Sequence, residues 1–142
     1  MANAEIINIL KTVQRIALVG ASKDVSKPSN KVMKYLLTQG YDVTPVNPVL
    51  KDQELFGKKV YGTLGDIPHK VDMVDVFRNS EAALEVTKEA IDIKANVIWY
   101  QLGVINKQAE DLATKAGLKV VVNRCPKIEI HKLGLEKPTS SL

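Results

Sequence analysis

The sequence predicts an α/β fold: a doubly wound, parallel, five-stranded sheet covered by helices on both faces, in a single domain. Two observations carry that expectation. Five short runs are rich in β-branched and apolar residues and end in turn residues, and helical patterns fall between most of them. Strands alternating with helices pair in parallel through right-handed crossovers, which leaves the sheet buried on both sides. At 142 residues the chain suits one compact domain that buries about two-thirds of its unfolded surface, and a second would not fit.

The first segment, "MANAEIINILKT", reads as a helix with Ile6, Ile7, Leu10 and Val13 on one side. The first strand runs from Ile16 to Val19 and breaks at Gly20. Helical periodicity returns near Asn30, where Val32, Met33, Leu36 and Leu37 form a stripe closed by Gly40. Val43 to Val46 is the second strand. The third, Met73 to Phe77, is reached through "VLKDQELFGKKVYGTLGDIPHK". That segment has Gly57, Gly62, Gly65 and Pro68 and no sustained apolar stripe, which predicts an irregular connection with at most one helical turn, Thr63 and Asp66 forming its capping box. Ser80 is placed to cap a helix carrying Ala83, Val86, Ala90 and Ile93. Val97 to Tyr100 is the fourth strand; Trp99 and Tyr100 point to opposite faces of the sheet, so they cannot both meet one ligand. Asn106 caps a helix of Ala109, Leu112, Ala113 and Ala116 that Gly117 closes, and Val120 to Val122 is the fifth strand. Glu129 falls near the first turn of a short last helix, where the dipole favours a carboxylate. The polar tail from about residue 135 to 142, "LEKPTSSL", reads as loose.

Composition excludes several classes of function. With 45% hydrophobic and 25% charged residues, and no apolar run near the roughly 18 residues that span a membrane, the chain reads as a soluble globular protein. Its N-terminus carries an acid and lacks the pattern of a secretory signal. The lone cysteine, Cys125, can form neither an internal disulfide nor a protein-ligated zinc site, which suits a reducing cytoplasm. The net charge of +4 comes from 20 basic and 16 acidic residues, mostly lysines spread along the chain; no basic block with interleaved aromatics marks a nucleic-acid surface.

Ligands of open α/β sheets bind beyond the carboxyl ends of the strands, where strand order reverses. The five exits read Gly20-Ala21-Ser22, Asn47-Pro48, Arg78-Asn79-Ser80, Gln101-Leu102-Gly103 and Asn123-Arg124-Cys125-Pro126. Small and polar residues gather there with two of the three arginines. A guanidinium fork suits phosphate, although Arg78 or Arg124 equally suits a local carboxylate.

A dinucleotide site of the usual kind wants Gly-x-Gly-x-x-Gly running into a helix, and an acid after the second strand for the ribose. In "GASKDVSKPSN" only Gly20 matches: Ser22 and Val25 stand at the other glycine positions, the helix starts after Pro28, and the second strand ends in Val46-Asn47-Pro48. These departures count against NAD. Backbone N–H groups after Gly20, the Ser22 hydroxyl and a helix N-terminus near Ser29 would still surround a pyrophosphate, with Lys23, Lys27 and Lys31 near a further phosphate. Coenzyme A, whose ribose carries a 3′-phosphate, fits that chemistry.

The motifs "IALVGAS", "GYDVTPVNP", "VDMVDVFRNSEAA", "WYQLGVIN" and "NRCPKIE", in this order, resemble those of the stand-alone bacterial CoA-binding proteins. The fold of that family is Rossmann-like and similar to the nucleotide-binding domain of the succinyl-CoA synthetase alpha subunit. The resemblance runs from about Ile6 to Leu133. It implies that Gly20, Ala21 and Ser22 meet the pyrophosphate, with Lys27 and Ser29 near the phosphates. It implies further that Val46, Asn47 and Pro48 line the adenosine part, and Phe77, Arg78, Gln101 and Gly103 the opposite wall. The synthetase's catalytic phosphohistidine belongs to a second domain that has no counterpart here; His69 and His131 fall in no catalytic motif and read as surface or packing residues.

The expectation is therefore a cytoplasmic module that binds CoA or an acyl-CoA as a sensor or carrier without catalysis of its own. Two alternatives stand beside it: an enzyme or ligase component acting on CoA thioesters, and an NAD(P)-binding redox sensor. Cys125 reads as a partly buried structural thiol; the alternative is a redox contact with the CoA thiol through a mixed disulfide, favoured by the neighbouring Arg124 charge.

Overall fold

Residues Ile16 to Val19 are all buried, so this strand needs cover on both faces. The computed structural model, which describes residues 1–138, supplies it with helices on each side. In chain order the elements are α1 (Asn3–Thr12), β1 (Arg15–Val19), α2 (Pro28–Thr38), β2 (Asp42–Val46), a hairpin of β3 (Glu54–Leu55) and β4 (Lys58–Lys59), β5 (Met73–Val76), α3 (Ala83–Asp92), β6 (Val97–Tyr100), α4 (Lys107–Lys115), β7 (Lys119–Val122) and α5 (Pro126–Lys132). The five-stranded sheet has the order β2-β1-β5-β6-β7 with every pair parallel. The protein is a single Rossmann-like α/β domain, as the alternating pattern predicts.

The period of two in each strand divides the core. Ile16, Leu18, Val43, Met73, Val97 and Trp99 pack under α1, α2 and α5, whereas Ala17, Val19, Val74, Val76, Ile98 and Tyr100 pack under α3 and α4. Trp99 and Tyr100 thus lie in different layers. Each finds a partner for its polar tip: Trp99 Nε1 donates to Arg124 O at 2.7 Å, and Tyr100 Oη meets Thr87 Oγ1 at 2.6 Å. In α1 the buried face is Ile6, Ile9 and Leu10, with Val13 just beyond; Ile7 is only half-buried, a one-position rotation from the expected stripe.

Three local expectations change. The connection expected to be irregular holds the β3–β4 hairpin, whose turn residues Phe56 and Gly57 both have positive φ (52° and 75°), and which inserts Leu55 and Val60 into the core. Thr63 makes no side-chain cap; the Leu64 N–H donates instead to Glu89 Oε1 at 3.2 Å. Ser80 caps nothing either, because α3 begins three residues later; its hydroxyl donates to Gly103 O (3.3 Å) and accepts from Ile105 N (2.9 Å), tying two strand exits together. Asn106 does cap α4, accepting from Ala109 N at 3.0 Å.

At the C-terminus, Leu135 packs on the core, and Gln39 and Lys137 exchange two hydrogen bonds (2.7 and 3.2 Å). The first residues of the tail expected to be loose are therefore fastened; residues 139–142 of that tail lie outside the described residues. Among the described residues no helix is long and apolar enough to cross a membrane.

Asp75 is the anomaly of the core. It is fully buried on β5 between Leu18 and Trp99, and neither carboxyl oxygen has a hydrogen-bond partner among the described residues. Burial holds its carboxyl well above the usual range, so the folded state keeps a proton that the unfolded chain releases. The stability it confers is complete below the ordinary carboxylate value and declines as pH rises toward the raised one, by about 1.4 kcal/mol per pH unit. Asp75→Asn removes that proton linkage without changing shape. Urea unfolding should find the variant more stable than the parent at pH 8, with the gap closing toward pH 4; a gap independent of pH would show that Asp75 does not titrate in this way.

Candidate functional site

Chain direction creates the site. From β1 the chain leaves toward α2 on one face, and from the neighbouring β5 it leaves toward α3 on the other, so a crevice opens beyond these two strands. Gly20 stands at its base with φ +96°, and a Cβ there would lie 2.5 Å from Phe77 O. Glycine is required on both counts.

Two cavities occupy the crevice and share Pro28, Phe77 and Arg78 in their walls. The smaller, about 430 Å³, lies against Gly20, Ala21, Ser22, Lys27, Ser29 and Asn47. The larger, about 730 Å³, continues between α2 and α5 along Val32, Tyr35, Gln101, Leu102, Val104 and Ile128, with Cys125 in its wall.

The loop after β1 is held by two asparagines. Asn47 Nδ2 donates to Ala21 O at 2.8 Å and Asn30 Nδ2 donates to Ser22 O at 2.9 Å, so both carbonyls are bonded into the protein. The N–H groups of Gly20 and Ala21 are also committed, both to Val46 O (2.9 and 3.3 Å), so these two do not serve as the anion donors that the loop pattern suggests. Ser22 Oγ accepts from Asp24 N at 3.1 Å, which leaves its proton to donate. Asp24 is folded back: the Ser26 hydroxyl and N–H bond its Oδ1 at 2.7 and 2.9 Å and hold its carboxyl below the usual range.

Of the residues singled out from the sequence, Gly20, Ala21, Ser22, Lys27, Ser29, Asn47, Phe77, Arg78 and Gln101 line the two cavities. Val46 buries its side chain in the α3 and α4 layer and offers only its carbonyl. Pro48 is exposed and opens a short turn, and Gly103, at φ +80°, donates to Asn123 Oδ1 at 2.8 Å; neither lines these cavities. Lys23 is bonded to Gln53, Lys27 faces the smaller cavity and Lys31 the larger. Arg124 pairs with buried Glu129 at 3.0 Å, whereas Arg78 has no bonded partner among the described residues.

The positioning role of Asn30 has a sequence signal, an amide at the start of a helix beside a glycine turn, that periodicity alone passes over. Tyr35, Val104 and Ile128 read only as helix or loop residues because the cavity they share is tertiary. At its far end, Tyr35 Oη bonds Glu136, whose other oxygen lies 3.4 Å from His131 Nδ1. Burial, then this carboxylate, pushes the Tyr35 phenol upward, and the phenol and imidazole hold the Glu136 carboxyl down. His131, expected on the surface or in packing, stands on this rim.

The glycine turn of a Rossmann-like sheet thus opens onto two joined cavities, at the sheet edge where ligands of open α/β folds bind. Residues 14–131 match the model of the CoA binding domain, and the chain belongs to that family. It is similar to the YneT protein of Bacillus subtilis (strain 168), 35% identical over 89% of this chain and 93% of that one. A solved protein from Pyrococcus horikoshii OT3 is 41% identical, with a TM-score of 0.90 over 94% of this chain and 92% of that one. A dinucleotide-forming acetyl-coenzyme A synthetase of Ca. Korarchaeum cryptofilum is 28% identical, with a TM-score of 0.61 over 75% of this chain and 25% of that one.

The role of Gly20 is testable against a second glycine. Gly117 has φ +90° but nothing within 4 Å of an added Cβ. Gly117→Ala should cost about 1–2 kcal/mol from conformation alone, and Gly20→Ala at least about 2 kcal/mol more because the Phe77 backbone must move. Equal losses in urea unfolding would exclude the contact as the constraint.

Proposed function

We propose that the protein binds coenzyme A, or an acyl-CoA, in this continuous cleft and acts as a non-catalytic binding or sensing module. The observation that carries the reading is the junction of the two cavities through Pro28, Phe77 and Arg78. It matches a ligand with a charged nucleotide end and an uncharged pantetheine arm, and membership of the CoA binding domain family supports the same ligand.

The residues fit that molecule. The Ser22 hydroxyl, Lys27 and Arg78 would hold its phosphates, with Asn47 toward the adenosine side. Gln101 contributes to the cleft wall and is itself largely buried. CoA would bring a thiol or thioester, and the chain's part is to bind and orient it. At the second-strand exit, where an NAD site wants a carboxylate, Asn47 spends its amide on Ala21 O and Val49 N. The likeness to one quarter of a synthetase chain supports a module that works with a partner. The free thiol of Cys125 supports a reducing, cytoplasmic setting.

Calorimetry with CoA, acetyl-CoA, NAD and NADPH should show binding of the CoA species alone; tight NAD binding without CoA binding would overturn the reading, and thioester hydrolysis above background would favour an enzyme. Arg78→Ala should weaken CoA binding about tenfold, the worth of a charge-assisted hydrogen bond. Unchanged affinity would remove Arg78 from the site.

The position of Cys125 in the apolar half favours a second property, thiol exchange. Its thiolate would attack CoA disulfide, forming a Cys125–S–S–CoA bond and releasing the other CoA as thiolate. Mass spectrometry after incubation with CoA disulfide should find an adduct on Cys125 that dithiothreitol removes. An unmodified Cys125, where a control cysteine peptide is converted, would exclude the exchange.

A further inference from the structure

We infer that the apolar half of the cleft is an acyl subsite, and that the preferred ligand is a CoA thioester of an aliphatic acid rather than free CoA. The inference rests on the CoA reading above and adds the class of acyl group.

The cleft changes character along its length. Next to the smaller cavity it presents Arg78 and Gln101; beyond them Val32, Leu102, Val104 and Ile128 form the apolar part of the lining, with Lys31, Lys127 and Glu136 also in the wall. Leu102 and Ile128 are 52% and 50% exposed, although both stand in the wall of a cavity between α2 and α5. Large apolar side chains left open inside a cleft gain when an apolar ligand covers them. A free thiol offers them little surface, whereas an acyl chain offers more with each carbon.

The chain segment beyond α5 gives this half an end. Tyr35, on α2, bonds Glu136, and both line the cavity, so residues from both sides meet at its wall; the Lys137 bonds to Gln39 just outside fasten the same segment. The result is a chamber with an apolar floor and a defined far wall, suited to a group of limited length.

The charges on the rim argue for an aliphatic rather than a carboxylate-bearing acyl group. Lys31 and Lys127 are exposed, and Lys127 Nζ stands 5.6 Å from the Tyr35 ring centroid. A terminal carboxylate placed in the chamber would lose its hydration against valine, leucine and isoleucine walls, while exposed ammonium groups repay little of that loss.

Calorimetry on the whole protein with CoA, acetyl-CoA, butyryl-CoA, hexanoyl-CoA and succinyl-CoA tests the assignment. Affinity should rise about fourfold per added methylene from acetyl- to butyryl-CoA, and butyryl-CoA should bind more tightly than succinyl-CoA. In Leu102→Ser and Ile128→Ser the ratio of CoA to butyryl-CoA dissociation constants should fall toward one. If CoA binds as tightly as every acyl-CoA, or succinyl-CoA binds best, the acyl subsite is wrong while the CoA reading stands. If no CoA species binds, both fall together.

Discussion

The approach of Gly20 to the Phe77 backbone is the constraint on which the site depends. β1 and β5 are neighbours, and the sheet ladder continues one residue past both, through Phe77 N donating to Val19 O at 2.8 Å and Gly20 N donating to Val46 O at 2.9 Å. The chain at Gly20 is thereby held from both sides just where it must turn toward α2. Any Cβ there meets the backbone carbonyl of Phe77, whose N–H is already bonded to Val19 O, so the backbone closes tightly at the base of the crevice and diverges above it. The resulting crevice sits at the switch of strand order, between connections that leave on opposite faces.

Above that base the site is prepared electrostatically, largely by removing groups that would oppose an anion. Two asparagine amides engage the carbonyls of Ala21 and Ser22, and Asp24 is satisfied by Ser26 within its own turn. The positive groups divide in the same way. Arg124 turns inward to Glu129, a pair buried enough that its worth lies in fixing geometry as much as in stability. Arg78 and Lys27 are left facing the cavity. A loop with one glycine can therefore serve an anionic ligand, because side-chain donors do what closely packed backbone amides do in glycine-rich loops.

The five sheet strands and their order of helices were legible because buried parallel strands are short, β-branched and bounded by turns; the boundaries differ from the expectation by one residue at several ends. The hairpin was not legible, since each of its strands has two residues and a phenylalanine occupies a positive-φ turn position that usually falls to Asn, Asp or Gly. The strand exits singled out from the sequence meet at one crevice, which Ser22, Lys27, Arg78 and Gln101 line. What sequence could not give was the partition of roles among similar residues. Nothing local separates Lys23 from Lys27, because Gln53 reaches Lys23 only through the fold; Arg124 differs from Arg78 through Glu129, five residues on, which the turn into α5 folds back onto it.

The apolar half of the cleft follows from the way α5 is anchored. Trp99 Nε1 holds Arg124 O, the Arg124 guanidinium holds Glu129, and Glu129 belongs to the first turns of α5, so the start of this short helix is fixed to β6 and β7. Its Ile130 reaches the core while Ile128 and His131 are left on the cleft side. With α5 held at that end, the space between it and α2 is set by the contacts at the other end, where Tyr35 meets Glu136 and Gln39 meets Lys137, partners about a hundred positions apart in sequence. Closing so long a loop costs conformational entropy that only the finished core repays. The cleft is thus a product of complete folding, and a change that loosened the segment beyond α5 would alter the larger cavity before it touched the smaller one.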